Sequence, residues 1–297
     1  MALLEGFPGL KALYDIECYP NYISINFLDL ATGQIIRFRL DPNNGIDERI
    51  ACEAYFRGLS VIVSYNGHGY DDHVLDVVFK GTHCEDVFQH GDDIIRSGSR
   101  RSSPFLKYGV HGYPLSIDLA RVIAVSGHFP GLKELGNKFA YKVLQDLPYP
   151  PGSVLTDGQK REIDEYNIHD LNITRMILAK QDKVIEMRRV MSANLGVNVT
   201  SHAEAALGVA IIRTRYFAAM SAKIAANRDG DEEPAPIILR KPQDREWIVG
   251  GGDLVKAHYH RFVTPSLIGL VKEIQQWTLK WKRQTDGMGR DGTRRSR

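Results

Sequence analysis

Between Lys11 and Leu40 the apolar residues follow a period of two, and this alternation restricts the possible folds more than any other feature of the chain. Lys11 to Glu17 opens with a short apolar strand, Ala12-Leu13-Tyr14, that ends in Asp15-Ile16-Glu17. Asn21 to Asp29 then places Ile23, Ile25 and Phe27 on one side and Ser24 and Asn26 on the other, the pattern of a half-buried strand. Ala31-Thr32-Gly33-Gln34 supplies a turn, and Ile35 to Leu40 makes a third strand, so the reading is an antiparallel meander.

Further on, strands and helices mix. A helical stretch from roughly Asp47 to Arg57 leads into the β-branched run Leu59 to Tyr65, a buried strand that ends in Asn66-Gly67-His68-Gly69. Asp71 to Phe79 reads as a helix, Gly91 to Pro104 as a polar loop, Pro114 to Leu119 as a fifth strand, and Gly131 to Gly136 as the start of another helix. Thr156-Asp157-Gly158-Gln159 is a capping box, which predicts a long helix from there to about Gln181. The fold class expected is α/β, a mixed β-sheet flanked by helices with a mainly helical C-terminal extension. The expected divisions are residues 1–182 as the principal domain, 183–271 as the extension, and 272–297 as a basic, flexible tail.

Composition narrows the classes. With 43% hydrophobic and 25% charged residues, the 297-residue chain is neither disordered nor fibrous. Its three cysteines, Cys18, Cys52 and Cys84, include no C-x-x-C pair, against a disulfide framework or a cysteine zinc site. No apolar run reaches the length of a membrane span, so the expected setting is soluble, reducing and cytoplasmic, without membrane partners. From Lys272 to Arg297 eight bases face three acids, whereas the rest of the chain is slightly acidic. A basic tail of that kind suits contact with phosphate.

The acids carry the chemistry. Asp15 and Glu17 are two apart at the end of a strand and share a face, Asp71 follows the fourth strand, and Tyr166 and Asp170 are helical neighbours. In open α/β sheets the functional crevice lies outside the carboxyl ends of the strands. Four carboxylates gathered there repel one another unless cations screen them, and oxygen-only donors select Mg²⁺ or Mn²⁺. Two such ions about 4 Å apart suit in-line phosphoryl displacement, with a tyrosine hydroxyl to orient water. Asp-x-Glu by itself is uninformative, occurring at Asp15/Glu17, Asp231/Glu233 and Asp244/Glu246, but only the first ends an apolar strand.

Tyr14-Asp15-Ile16-Glu17, Asn66-Gly67-His68-Gly69-Tyr70-Asp71 and Tyr166-Asn167-Ile168-His169-Asp170 resemble the three motifs of the DEDD superfamily of 3′→5′ exonucleases, tyrosine subtype. The proofreading domains of phage and family B DNA polymerases are similar, and Ser116-Ile117-Asp118-Leu119 and Leu132-Lys133-Glu134-Leu135 resemble further family features. The resemblance covers roughly residues 11–182. It implies a ribonuclease-H-like fold and hydrolysis of single-stranded or frayed DNA 3′ ends in phage-type replication, in the host cytoplasm. It also implies two divalent cations, Mg²⁺ or Mn²⁺, on Asp15, Glu17, Asp71 and Asp170, with Asp15 bridging. Tyr166 would be catalytic, and Asn66 and Tyr70 would bind the substrate strand. Asp71 is taken as the motif carboxylate, with Asp72 its alternative. No polymerase signature such as Tyr-x-Asp-Thr-Asp follows, so any polymerase would be a separate chain. The competing expectation is a non-polymerising accessory or nucleic-acid-binding module of a polymerase assembly.

Blander readings apply elsewhere. Asp118 is read as a helix N-cap, and Trp277 and Trp281 as a packing pair. The pairs His83/His90 and His258/His260 lack cysteines and are not read as zinc ligands.

Overall fold

A computed structural model of the chain describes residues 3–98, 102–106, 113–124 and 128–226. The meander forms as predicted, as β1 (Lys11–Tyr19), β2 (Tyr22–Asp29) and β3 (Ile35–Asp41), extended by the two-residue β4 (Ile46–Asp47). The β-branched run supplies β5 (Val61–Ser64), and β6 (Leu115–Asp118) completes a six-stranded sheet of order β4-β3-β2-β1-β5-β6. β1 and β2, β2 and β3, and β3 and β4 pair antiparallel, while β5 runs parallel to β1 and β6 parallel to β5. This is the mixed sheet of a ribonuclease-H-like fold.

Helices cover both faces. On one side α1 (Arg49–Gly58), α2 (Asp71–Phe79) and α3 (Cys84–Ser97) bury Phe56, Val74, Leu75, Val78 and Val87 against Ala12, Tyr14, Ile16 and Ile25. On the other, α4 (Leu119–Ile123), α5 (Leu132–Lys138) and α6 (Asp157–Leu195) bury Leu119, Leu135, Leu171, Ile177 and Leu178 against Leu13, Leu28, Val61 and Val63. Thr156 caps α6 reciprocally with Gln159, and Asp118 caps α4 by accepting from the Ala120 N–H, both as predicted. All three cysteines are free and buried.

Three expectations need correction. The polar side of β2 does not face water: Ser24 and Asn26 are fully buried because α6 lies across them. In register, Glu17, Ser24 and Arg39 stand side by side on β1, β2 and β3, as do Asp15, Asn26 and Arg37. These six side chains form a polar lane across the sheet. α6 sits on the lane through Asp164, which accepts from Tyr22 Oη (2.7 Å) and Ser24 Oγ (2.6 Å) and pairs with Arg37 (3.0 Å) and Arg39 (3.2 Å). A buried polar group needs such partners, so period-two alternation here marks a polar interface rather than a solvated face.

Secondly, the loop expected from Gly91 is helical as far as Ser97. Cys84, Val87, Gly91 and Ile94 make one buried stripe, and Gly91 lies within it because a Cβ there would meet the Tyr70 hydroxyl at 2.8 Å. Thirdly, no boundary falls at residue 182, because α6 runs unbroken to Leu195. Beyond that point Asp182 and Glu186 accept from the backbone of Leu4 and Gly6, Ile185 is fully buried, and Arg188 reaches the carbonyls of Val122 and Thr200. One compact unit spans Met1–Ile211 and a second Ile212–Arg297. Of the second, the described part is the end of α7 (Glu204–Ala226). The acidic linker at 229–236, His258/His260, the tryptophans and the basic tail lie outside the described residues.

Asp164→Ala should therefore destabilise the protein by about 2–3 kcal/mol, the low end for a broken buried ion pair because both arginines reach solvent. Tyr22→Phe, which loses one hydroxyl bond, should cost about 1 kcal/mol. Urea titration of the two variants checks the ranking.

Candidate active site

The parallel pairing between β1 and β5 ends at Leu13, so β1 projects beyond its neighbour and carries Asp15 and Glu17 past the sheet's parallel half. Alternation puts both on the α6 side with Leu13, while Tyr14 and Ile16 enter the opposite core. Asp71 arrives from the first turn of α2, where the backbone N–H groups of Asp71 itself and of Ile16 favour its charged form. Tyr166 and Asp170 come from α6, four residues apart and both nearly buried. Asp15 and Glu17 thereby lie within electrostatic reach of Asp71 on one side and of Asp170 and the Tyr166 phenol on the other, four carboxylates and one phenol from three separate chain segments.

Their ionisation reflects this crowding. Loss of hydration, then the charges of Asp71, Glu17 and Asp170, holds Asp15 well above the usual carboxylate range. Burial and then Asp170 and Asp71 push Glu17 up to about 8. Asp71 rises to about 7, chiefly by burial, although its two backbone N–H partners favour the charged form. Asp170 is raised by burial and held back by Lys133.

Two further residues complete the site. Lys133, on α5, places its ammonium 2.7 Å from Tyr166 Oη, 4.4 Å from that ring's centre and 3.9 Å from Asp170 Oδ1. It is the cation that partly offsets Asp15, Glu17 and Asp170. Asn167 is fully buried and donates to Asp15 Oδ2 at 2.9 Å. Both residues lie within the sequence motifs, which by themselves assign neither a role. Asn167 stands three before Asp170 and so shares its helical face, a usable signal. Nothing in the sequence says that the Lys133 side chain reaches across to α6.

Asp71, rather than Asp72, faces the cluster; Asp72 is fully buried against Tyr14 and Ser116. Asn66 is exposed in left-handed backbone (φ 64°), with its N–H donating to Asp118 at 2.9 Å. The Tyr70 ring is partly buried beside Gly91, and its phenol feels Asp71, Glu17 and Asp15. His83 precedes α3, and no ligand geometry involves it or His90.

A hard cation fits the donor set by chemistry. The donors are all oxygens, they carry excess negative charge, and Asp170 Oδ1 is buried without a hydrogen-bond partner. As the side chains stand, no three acids, histidines or cysteines among the described residues close around one point. Binding a cation therefore requires rotamer adjustment of the carboxylates.

A stability prediction follows from the raised carboxylates. An acid whose folded pKa lies above its unfolded value near 4 stabilises fully below that value, and the contribution is lost as pH rises through the folded value. For Glu17 the window runs from about 4 to about 8. Metal-free protein should melt lower at pH 8.5 than at pH 5.5, and Glu17→Gln should flatten that slope and raise the pH 8.5 melting temperature by a few degrees. Mn²⁺ should raise the melting temperature more at pH 8.5 than at pH 5.5. Melting curves at both pH values, with and without Mn²⁺, check the signs.

No family model, no curated protein and no solved structure matches the chain.

Proposed function

We propose that the protein is a metal-dependent 3′→5′ exonuclease acting on single-stranded or frayed DNA ends. The observation that carries this reading is the convergence of Asp15, Glu17, Asp71 and Asp170 with the Tyr166 hydroxyl beyond the end of the parallel pairing. The three motif resemblances supply the substrate class. Asp15, Glu17, Asp71 and Asp170 would hold divalent cations, Mg²⁺ or Mn²⁺, which when bound stabilise charge on the attacking and leaving oxygens of a phosphodiester displacement.

The chain's own groups do the positioning. Lys133 donates to Tyr166 Oη, and the Tyr166 hydroxyl lies beside the Asp170 carboxylate, leaving a second lone pair on the phenol oxygen to accept from a water. Burial, followed by the charges of Asp170 and Glu17, keeps this phenol protonated far above neutral pH, so it acts as a hydrogen-bonding guide rather than a base. Asn167 fixes the Asp15 carboxylate by its 2.9 Å bond, which limits the orientations Asp15 can present to a cation. Asn66, exposed in the turn before α2, and Tyr70 would touch the strand end. Such trimming would be done by the enzyme standing alone or in the service of a DNA polymerase.

Incubation of the protein with a 5′-labelled oligonucleotide and Mg²⁺ or Mn²⁺ should shorten the label stepwise from the 3′ end and release mononucleotides. Asp15→Ala should abolish this and still give a cooperative melt. Tyr166→Phe should lower kcat on the order of ten- to a hundredfold with KM little changed, the mark of an interaction made in the transition state. Binding of the strand without release of mononucleotides by the wild-type protein would instead support the accessory-module reading.

A further inference from the structure

The adjacent acids Asp71 and Asp72 point to different surroundings, as consecutive residues of a helix must. Asp71 faces Asp15 and Glu17. Asp72 is fully buried on the other core face, where it accepts from the hydroxyls of Tyr14 and Ser116 (3.3 Å), with the Ser103 side chain also favouring its charged form. Tyr14 belongs to β1 and Ser116 to β6, so one carboxylate ties the first turn of α2 to two strands that flank β5.

The network continues beneath the preceding turn. Ser116 gives its proton to Asp72, so its oxygen accepts from His68 Nε2 at 3.0 Å. His68 is buried and neutral, with burial lowering its pKa to about 3 and Nδ1 left without a partner. At the start of the turn Asp118 accepts the Asn66 N–H, and Gly67 is glycine because a Cβ would meet Ser64 Oγ at 2.1 Å and Tyr14 Oη at 3.1 Å. The segment 66–72 is thus clamped at both ends, by Asp118 at Asn66 and by the contacts of Asp72 at the start of α2.

Burying a carboxylate is costly even with the charge of Arg121 partly offsetting it, and an apolar residue at 72 would fill the same space without that cost. Two hydroxyls, one on each oxygen of the carboxylate, fix its orientation, which an apolar contact cannot do. We propose that Asp72 is a positioning residue for Asp71: held by Tyr14 and Ser116, it locks the first turn of α2 so that the Asp71 carboxylate alone is presented to the cation site. The proposal rests on the nuclease reading, in which Asp71 is a cation ligand.

Calorimetric titration of the full chain with Mn²⁺, well below the melting temperature, tests it without an activity readout. Asp71→Asn, losing the ligand, should bind Mn²⁺ most weakly. Asp72→Ala should weaken binding roughly tenfold, as expected when a group supporting a ligand is lost. Asp72→Asn, whose amide oxygen still accepts from Tyr14, should recover most of that loss. Tyr14→Phe, the milder variant should Asp72→Ala fold poorly, should weaken Mn²⁺ binding several-fold, and combining it with Asp72→Ala should add little. Asp72→Asn as damaging as Asp71→Asn would make Asp72 a ligand and overturn the proposal. Unchanged Mn²⁺ affinity in Asp72→Ala or Tyr14→Phe, with only a lower melting temperature, would overturn it in favour of a purely structural role. Wild-type protein that takes up no Mn²⁺ would remove the nuclease reading and the proposal together, whereas wild-type binding with indifferent variants removes the proposal alone.

Discussion

Negative charge is concentrated where α6 meets the end of β1, and the surrounding structure is arranged around holding it there. Burial raises all four of Asp15, Glu17, Asp71 and Asp170, and the charges of Asp71 and Asp170 raise Asp15 and Glu17 further. Groups so placed cost stability whenever they ionise together. The fold meets that cost with fixed partners: Lys133 on one flank, the Asn167 amide on Asp15, and backbone N–H groups on Asp71. The residual imbalance of charge is the strongest physical reason to read the cluster as a cation site.

The same helix that closes the cluster also anchors to the sheet by charge, with the signs reversed. Asp164, six residues before Asp170, is the acid there, and Arg37 and Arg39 come from β3. Across the sheet the lane passes from acids on β1 through neutral Ser24 and Asn26 on β2 to bases on β3. α6 therefore presents Asp164 to the basic end, and Asn167 and Asp170 to the acidic end. Sliding or rotating α6 by one residue would break both sets of contacts. In this way the register of the helix, and with it the position of Tyr166, is fixed by polar pairing as well as by the apolar packing of Leu171, Ile177 and Leu178.

Much of this was legible in the sequence, and the parts that were not have physical reasons. The strands, the α2 span and the Thr156 cap are local events, written in period-two patterns and capping chemistry. The grouping of Asp15, Glu17, Asp71, Tyr166 and Asp170 was readable from motif order, and the structure brings those residues together. α3 escaped because Gly91 reads as a breaker, although it is there to admit the Tyr70 ring. The continuation of α6 past residue 182 escaped because its partners, Leu4, Gly6, Val122 and Thr200, are far away in sequence. Lys133, the division of labour between Asp71 and Asp72, and the burial of Ser24 and Asn26 all depend on contacts between distant segments, which no local pattern encodes.

The central claim is that the carboxylates beside β1 and α6 are cation ligands. Anomalous diffraction from crystals of the wild-type protein soaked in Mn²⁺ at pH 8 tests it most directly. The account predicts difference peaks bounded by Asp15, Glu17, Asp71 and Asp170, with Asp72 making no contact to the ion. Bound Mn²⁺ located only elsewhere, or a soaked site with Lys133 still paired to Asp170 and no peak between the acids, would contradict it.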